Sequence, residues 1–311
     1  MTTLLYTHEQ CLDHVTPPGH PEQVARLEVI SRALADPAFD ALVRREAPLG
    51  AEADIRRAHP LAHLDHIRSS EPVEGFTKLD EDTSMAPGSY HAALRAVGAN
   101  VAAVDAVLDG EARNAFIATR PPGHHAEKAR PMGFCLFANV AIAALHAIEN
   151  RGLDRVAVLD FDVHHGNGTQ DVLWNESGVR FASSHQMPLY PGTGAPGERG
   201  AYDQIQNTAL EPGSGSKTMR EAWGEHILPW LAEYEPQLIL VSAGFDAHGS
   251  DPLAGLNWTN DDYVWLTNRI VDLAETCCDG RVVSTLEGGY DLDALGPSVA
   301  AHVRTLEERG R

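Results

Sequence analysis

Five short apolar runs recur along the chain, at 115–118, 155–159, 179–182, 238–242 and 281–286, with helical stretches between them. Runs this short and this continuously apolar suit strands covered on both faces, as in a parallel sheet. Helical periodicity fills 89–108, where Gly110 stands just beyond as a stop signal, and 138–149, which closes on Asn150-Arg151-Gly152. Further helices are expected over 216–234 and 261–276, the latter carrying the adjacent Cys277 and Cys278 at its end. Strands alternating with helices predict an α/β fold, a parallel sheet sandwiched by helices. No break in composition marks a second domain, so 1–311 is expected to fold as one.

The same runs are followed by chemically loaded loops. Run 115–118 leads into Thr119-Arg-Pro-Pro-Gly-His-His125, and run 155–159 into Asp160-Phe-Asp-Val-His-His-Gly-Asn-Gly168. Run 238–242 leads into Ala243-Gly-Phe-Asp246, and run 281–286 into Glu287-Gly-Gly-Tyr290. Ligands of open α/β sheets bind outside the carboxyl ends of the strands. Four loops therefore converge on one edge of the sheet.

Asp160, Asp162 and His164 alternate along the sequence, so in extended backbone they line one face. Carboxylates with imidazole at a strand end suit a divalent metal, zinc above all. The plain alternative is a helix N-cap run ending in a Gly turn. Asp246 follows its strand directly, where it can be a further ligand or a helix cap. His124 and His125, stiffened by Pro121-Pro122, suit general-base chemistry, although a His pair alone is more often an exposed turn. Tyr290 after two glycines could present its hydroxyl to a carbonyl, or simply pack at a strand end.

Composition narrows the partners. With a net charge of -20 and lysine only at Lys78, Lys128 and Lys217, the surface repels phosphate backbones, so nucleic acid is not an expected ligand. Cationic substrates such as lysine-rich tails or polyamines would be attracted, although acidic charge also serves solubility alone. No apolar run is expected to cross a bilayer, and the start lacks the basic and apolar regions of a secretory signal. Cys11, Cys135, Cys277 and Cys278 show no framework spacing and are read as reduced, which fits a cytoplasmic protein. Oligomeric state is not legible.

Together the motifs are similar to those of the histone deacetylases, in particular the class II type and its bacterial amidohydrolase relatives. The matching stretches are His20-Pro21-Glu22 and Arg26, then R-P-P-G-H-H-A at 120–126, G-F-C at 133–135 and D-F-D-V-H-H-G-N-G at 160–168. Y-P-G-T-G at 190–194, S-A-G-F-D-A at 242–247, D-P-L at 251–253 and E-G-G-Y at 287–290 follow in order. The resemblance implies the arginase/deacetylase-like three-layer sandwich with a parallel sheet of about eight strands. It implies one catalytic zinc on Asp162, His164 and Asp246, His125 as general base, and His124 as electrostatic partner or proton donor. Asp160 would orient His124. Tyr290 would polarise the carbonyl, and Gly133, Phe134 and Tyr190 would line an acyl-chain tunnel. A structural potassium ion is implied at Asp160 and Ser183, with Asp162, His164 and Ser184 contributing.

Departures from the family pattern carry information. Asn167 stands where some relatives place an acidic partner for His125, leaving that imidazole less charge-stabilised. Tyr190 stands where Phe is commoner. Gln204 to Gln206 is unusual around a second monovalent-ion site. Leu253 matches members acting on acyl-lysine, whereas polyamine-selective members carry an acidic gatekeeper nearby. Acyl-lysine or another mono-amine amide is thus favoured over acetylpolyamine. A two-manganese ureohydrolase is disfavoured by Ala247-His248-Gly249, and a non-catalytic acyl-binding protein by retention of Tyr290.

Overall fold

The computed structural model describes residues 2–310; Met1 and Arg311, the ends of the expected domain, lie outside the described residues. Eight strands form one sheet: β1 (Thr3–Thr7), β2 (Val43–Glu46), β3 (Asn114–Ile117), β4 (Val156–Asp160), β5 (Val179–Gln186), β6 (Ile205–Leu210), β7 (Leu238–Ala243) and β8 (Val282–Leu286). Their spatial order is β2-β1-β3-β8-β7-β4-β5-β6, and every pairing is parallel.

Alternation along each strand divides its side chains between two cores. Leu5, Phe116, Ala157, Leu159, Ile239 and Val241 face one core, which also holds Trp223, Ile270 and Val299 from helices. Leu4, Ala115, Val156, Val158, Leu238 and Leu240 face the other, with Val97, Val104 and Ile142. The result is helices on both faces of a parallel sheet, the predicted arrangement.

The five predicted strands match β3, β4, β5, β7 and β8 within a few residues. Three strands carry no clear sequence signal. β2 reads VRRE and is largely exposed at the sheet edge, where charge guards against further pairing. β6 alternates buried and partly exposed positions at the other edge, and β1 holds only three apolar residues, Leu4, Leu5 and Tyr6, between two threonines.

The helix Ser89–Leu108 forms as expected, and Gly110 beyond it takes a left-handed φ of 75°. By length and mean hydropathy (1.2) this helix would be able to cross a membrane, contrary to the expectation that no run would. Here its Ala and Val face packs into the second core. The helix expected over 216–234 is instead three pieces: Ser216–Glu221, a π-helical Ala222–Ile227 and Leu228–Ala232. Pro229, lacking an N–H, cannot complete the regular ladder there. The helix Asn260–Cys278 starts on a capping box between Thr259 and Asp262. The C-terminal helix Leu292–Gly310 escapes the sequence reading because Gly296 and Pro297 interrupt its pattern.

Candidate active site

Strand order places the loaded loops together. β3, β8, β7 and β4 are consecutive at the centre of the sheet, and all four point the same way. Their carboxyl-terminal loops are those carrying His124 and His125, Tyr290, Asp246, and Asp162 with His164.

After Asp160 the chain leaves the strand, so the alternating row does not lie along one extended face. Two side-chain-to-backbone turns replace it: Asp160 Oδ1 accepts from Asp162 N at 3.1 Å, and Asp162 Oδ1 accepts from His164 N at 2.9 Å. The turns send the side chains different ways. Asp160 Oδ2 meets His124 Nδ1 at 3.0 Å, while Asp162 and His164 turn toward Asp246.

Asp162, His164 and Asp246 offer ligand atoms all within 4.8 Å of one another. His164 Nδ1 lies 3.1 Å from Asp162 Oδ1 and 3.3 Å from Asp246 Oδ2. Backbone donors orient the carboxylates: Gly288 N–H donates to Asp162 Oδ2 at 2.8 Å, and Val163 N–H to Asp246 Oδ1 at 2.9 Å. Apart from the approach of His164, Asp246 Oδ2 is buried without a hydrogen-bond partner among the described residues. Lone pairs of three buried groups therefore face one point, which needs a cation or a proton. The energetics agree. Burial alone would lower His164, but Asp162 and Asp246 outweigh it and push the imidazole up to about 10. Burial, reinforced by the Asp162 charge, pushes the Asp246 carboxyl up. Burial pushes Asp162 up as well, but His124 and His164 reverse this and hold it well below the carboxylate range. A side chain at Gly244 or Gly288 would overlap these carboxylates, so both positions admit only glycine.

The two histidines have different partners. His125 Nδ1 lies 2.7 Å from Asn167 Oδ1, and the Asn167 amide is oriented by donating to Glu127 Oε1 at 2.9 Å. Asn167 thus presents an acceptor, His125 carries its proton on Nδ1, and Nε2 is left as a free acceptor. Burial and the neighbouring His124 and His164 hold His125 well below the usual imidazole value, so it is neutral at pH 7. Burial works against charge on His124 too, but Asp162 and Asp160 outweigh it and push His124 well up. Glu287, absent from the sequence reading as a functional residue, braces the pair: its Oε2 accepts from Gly123 N at 2.7 Å and His124 N at 3.2 Å.

A cavity of about 210 Å³ opens over this floor, lined by His125, Gly133, Phe134, His164, Tyr190, Leu253 and Tyr290, with Asp82 and Leu189. Every expected tunnel residue lines it. Gly133, at φ 57°, lies so close to His125 that a Cβ would overlap the imidazole. Tyr190 stands edge-on to His125 with centroids 5.2 Å apart, and Phe134 edge-on to Tyr290 at 5.9 Å. Burial keeps the Tyr290 hydroxyl protonated, its pKa well above the phenol value despite Arg26 nearby. Asp82 and Leu189 were missed because they lie in irregular segments with no motif of their own. Ser183, across from Asp160 in the β4–β5 register, bonds His185 Nδ1 at 2.9 Å, and the Ser184 hydroxyl accepts from Trp223 Nε1 at 3.0 Å. Gln204 is buried and donates to the Leu173 and Trp174 carbonyls at 3.0 and 2.9 Å. All four cysteines are unpaired.

Comparison with known proteins agrees with this site. The sequence model described as the histone deacetylase domain matches residues 20–306. A histone deacetylase-like amidohydrolase of Pseudomonas aeruginosa is 41% identical over 254 residues, 79% of this chain and 66% of that protein. A probable deacetylase of Archaeoglobus fulgidus is 37% identical over 303 residues, covering 96% of this chain and 84% of that one. The crystal structure of the HDA15 HD domain superposes with a TM-score of 0.94 at 31% identity, over 99% of this chain and 88% of the other. Fold and site thus define a hydrolase of the deacetylase and amidohydrolase kind on the arginase/deacetylase fold. The chain belongs to the histone deacetylase family.

Proposed function

We propose that this hydrolase holds one zinc ion on Asp162, His164 and Asp246 and releases the acyl group from an acyl-lysine or a similar mono-amine amide. The observation that carries the proposal is the cavity whose lining includes His164, His125 and Tyr290 together. Tetrahedral zinc with bonds of about 2.0–2.1 Å has ligand-to-ligand edges of about 3.3 Å. The 3.1 and 3.3 Å separations around His164 Nδ1 suit it. Zinc held there supplies Lewis-acid polarisation of a carbonyl and acidification of water.

The chain's own groups do the rest. Neutral His125 takes a proton from the attacking water at Nε2 as the carbon–oxygen bond forms. Tyr290 donates its hydroxyl hydrogen to the oxygen on which charge develops, a contribution that grows in a dry site. As the carbon–nitrogen bond breaks, a histidine returns a proton to the leaving amine. Asp160 fixes the ring of His124 for this step. Apolar Leu253 on the cavity wall supports a mono-amine substrate over an acetylpolyamine, since it offers no counter-charge to a second ammonium; Asp82, the carboxylate in the same lining, is engaged through Oδ1 by Gly133 N at 3.1 Å and the Thr83 hydroxyl at 2.8 Å. The same reading adds a potassium ion beside Asp160 and Ser183, whose oxygens are the hard donors such a cation takes.

The test compares acetyl-lysine peptide, longer acyl-lysine peptides and acetylpolyamine, each with and without a zinc chelator. Chelator-sensitive turnover fastest on acyl-lysine is expected. Undiminished turnover with chelator would overturn the zinc reading, and fastest turnover on acetylpolyamine would overturn the substrate reading. Tyr290→Phe should lower kcat roughly 100- to 1000-fold while retaining the metal. An active variant would remove the tyrosine from the reaction.

A further inference from the structure

Two walls of the cavity that arise from different strands share a single carboxylate. Leu253 follows β7, Tyr290 follows β8, and both line the cavity. Asp251 lies between them, only 7% exposed. Its Oδ2 accepts from Tyr290 N at 2.7 Å and from Asp291 N at 3.4 Å. Its Oδ1 accepts from Leu253 N at 3.0 Å.

Tyr290 has particular need of such a clamp. It follows Gly288 and Gly289, the latter at φ 121°, a conformation that side chains do not select. The ring of Tyr290 is bracketed by Arg26, with its guanidinium carbon 5.0 Å from the centroid, and by Phe134. The peptide N–H beneath the ring is fixed by Asp251 alone among the hydrogen bonds described. A carboxylate can accept at both oxygens, whereas an amide of the same shape must turn a donor either toward the Leu253 N–H or toward the N–H groups of Tyr290 and Asp291.

The geometry points to Asp251 as a positioning residue for the reaction, setting the Tyr290 hydroxyl over the cavity floor and tying that setting to the Leu253 wall. This rests on the reading of Tyr290 as the hydrogen-bond donor to the reacting carbonyl. Asp251 is not among the residues lining the cavity and acts through the two backbone segments it holds. Misplacement of a reacting group by a fraction of its hydrogen-bond length is costly, which sets the size of the expected effect.

The test is a double-mutant cycle on the zinc-loaded full chain with an acetyl-lysine peptide. Asp251→Asn should lower kcat roughly 10- to 100-fold with KM changed less than about threefold. Placed on Tyr290→Phe, the same substitution should change kcat by less than about threefold, because the group it positions is already gone. Hydrogen exchange in metal-free protein provides a second readout. Peptides containing the amides of residues 253 and 290 should exchange faster in Asp251→Asn, while those from β4 and β7 keep their protection. If Asp251→Asn melts below the assay temperature, Asp251→Ser, which leaves a single oxygen and introduces no amide donor, carries the same comparison. Equal losses in both backgrounds, or full turnover by the Asp251 variant, would overturn the proposal. Full turnover by Tyr290→Phe would remove the tyrosine reading and this proposal together. An inactive Tyr290→Phe beside a fully active Asp251 variant removes only the proposal.

Discussion

Replacing Glu22 by Gln probes the ionic foundation beneath the site. Glu22 is completely buried and paired with two completely buried arginines. Its Oε1 accepts from Arg26 NH1 at 3.1 Å and from Arg120 Nε, and its Oε2 accepts from Arg120 NH2 at 2.5 Å. Arg26 in turn donates to the Gly289 carbonyl at 2.7 Å and the Glu287 carbonyl at 2.5 Å, the turn that carries Tyr290. Burial pushes the Glu22 carboxyl up, but Arg120 and Arg26 more than reverse this, lowering it from 4.5 to about 2. A shift of that size corresponds to about 3 kcal/mol at pH 7. Gln leaves two buried guanidiniums without a counter-charge, a defect of about 3–5 kcal/mol. For a chain of this size that is a fall in Tm of about 5–10 °C.

The sign of the pH dependence is fixed by the direction of the shift. A depressed folded pKa stabilises fully above the unfolded value and loses that stabilisation as pH falls toward the folded one. Between pH 7 and pH 3.5 the advantage of wild type over Glu22→Gln should shrink by about 1.4 kcal/mol, from the two pKa values above. His14, 3.6 Å from Glu22, is held down to about 4 by burial although Glu22 raises it, so losing the carboxylate lowers it further and offsets part of that shrinkage. Urea unfolding at a series of pH values, with chelator present so that metal binding does not enter, measures the difference. A gap below about 1 kcal/mol at pH 7, or one that stays constant down to pH 3.5, would refute the reasoning.

If zinc is held as proposed, Asp246→Asn should weaken its binding, because the amide puts a donor or a weaker acceptor where a carboxylate oxygen without a hydrogen-bond partner among the described residues stands. Calorimetric titration with zinc should show affinity reduced at least roughly 100-fold, and unchanged affinity would exclude Asp246 as a ligand. Gly133→Ala should cost roughly 1–3 kcal/mol from its positive φ and its overlap with the His125 ring. It should also lower kcat, and a variant with wild-type melting and turnover would show that the approach to His125 is not tight.

Much of this was legible before any tertiary structure. The short, mainly apolar runs at β4 and β7 are strands buried on both faces of the sheet, and the helix Ser89–Leu108 ends where Gly110 permits a left-handed turn. The motifs at 120–126, 160–168, 242–247 and 287–290 named the residues now found together. Local sequence was misleading where tertiary context prevails. Edge strands β2 and β6 need not be apolar, because only one neighbour covers them. The row Asp160, Asp162, His164 is not an extended face, because side-chain acceptors capture the backbone N–H groups and turn the chain.

The sequence by itself determined the alternation of strand and helix and the chemical content of each loop, because these depend on local periodicity and residue type. Only the tertiary structure decided that β3, β8, β7 and β4 are neighbours, so that the loops carrying His124 and His125, Asp162, Asp246 and Tyr290, up to 166 residues apart in sequence, share one floor. It also decided that Asp160 serves His124 while Asn167 serves His125, and that Asp82 and Leu189 close the cavity. Strand order is set by how helical crossovers pack on the two faces of the sheet, a sum of contacts between distant residues that no local pattern records.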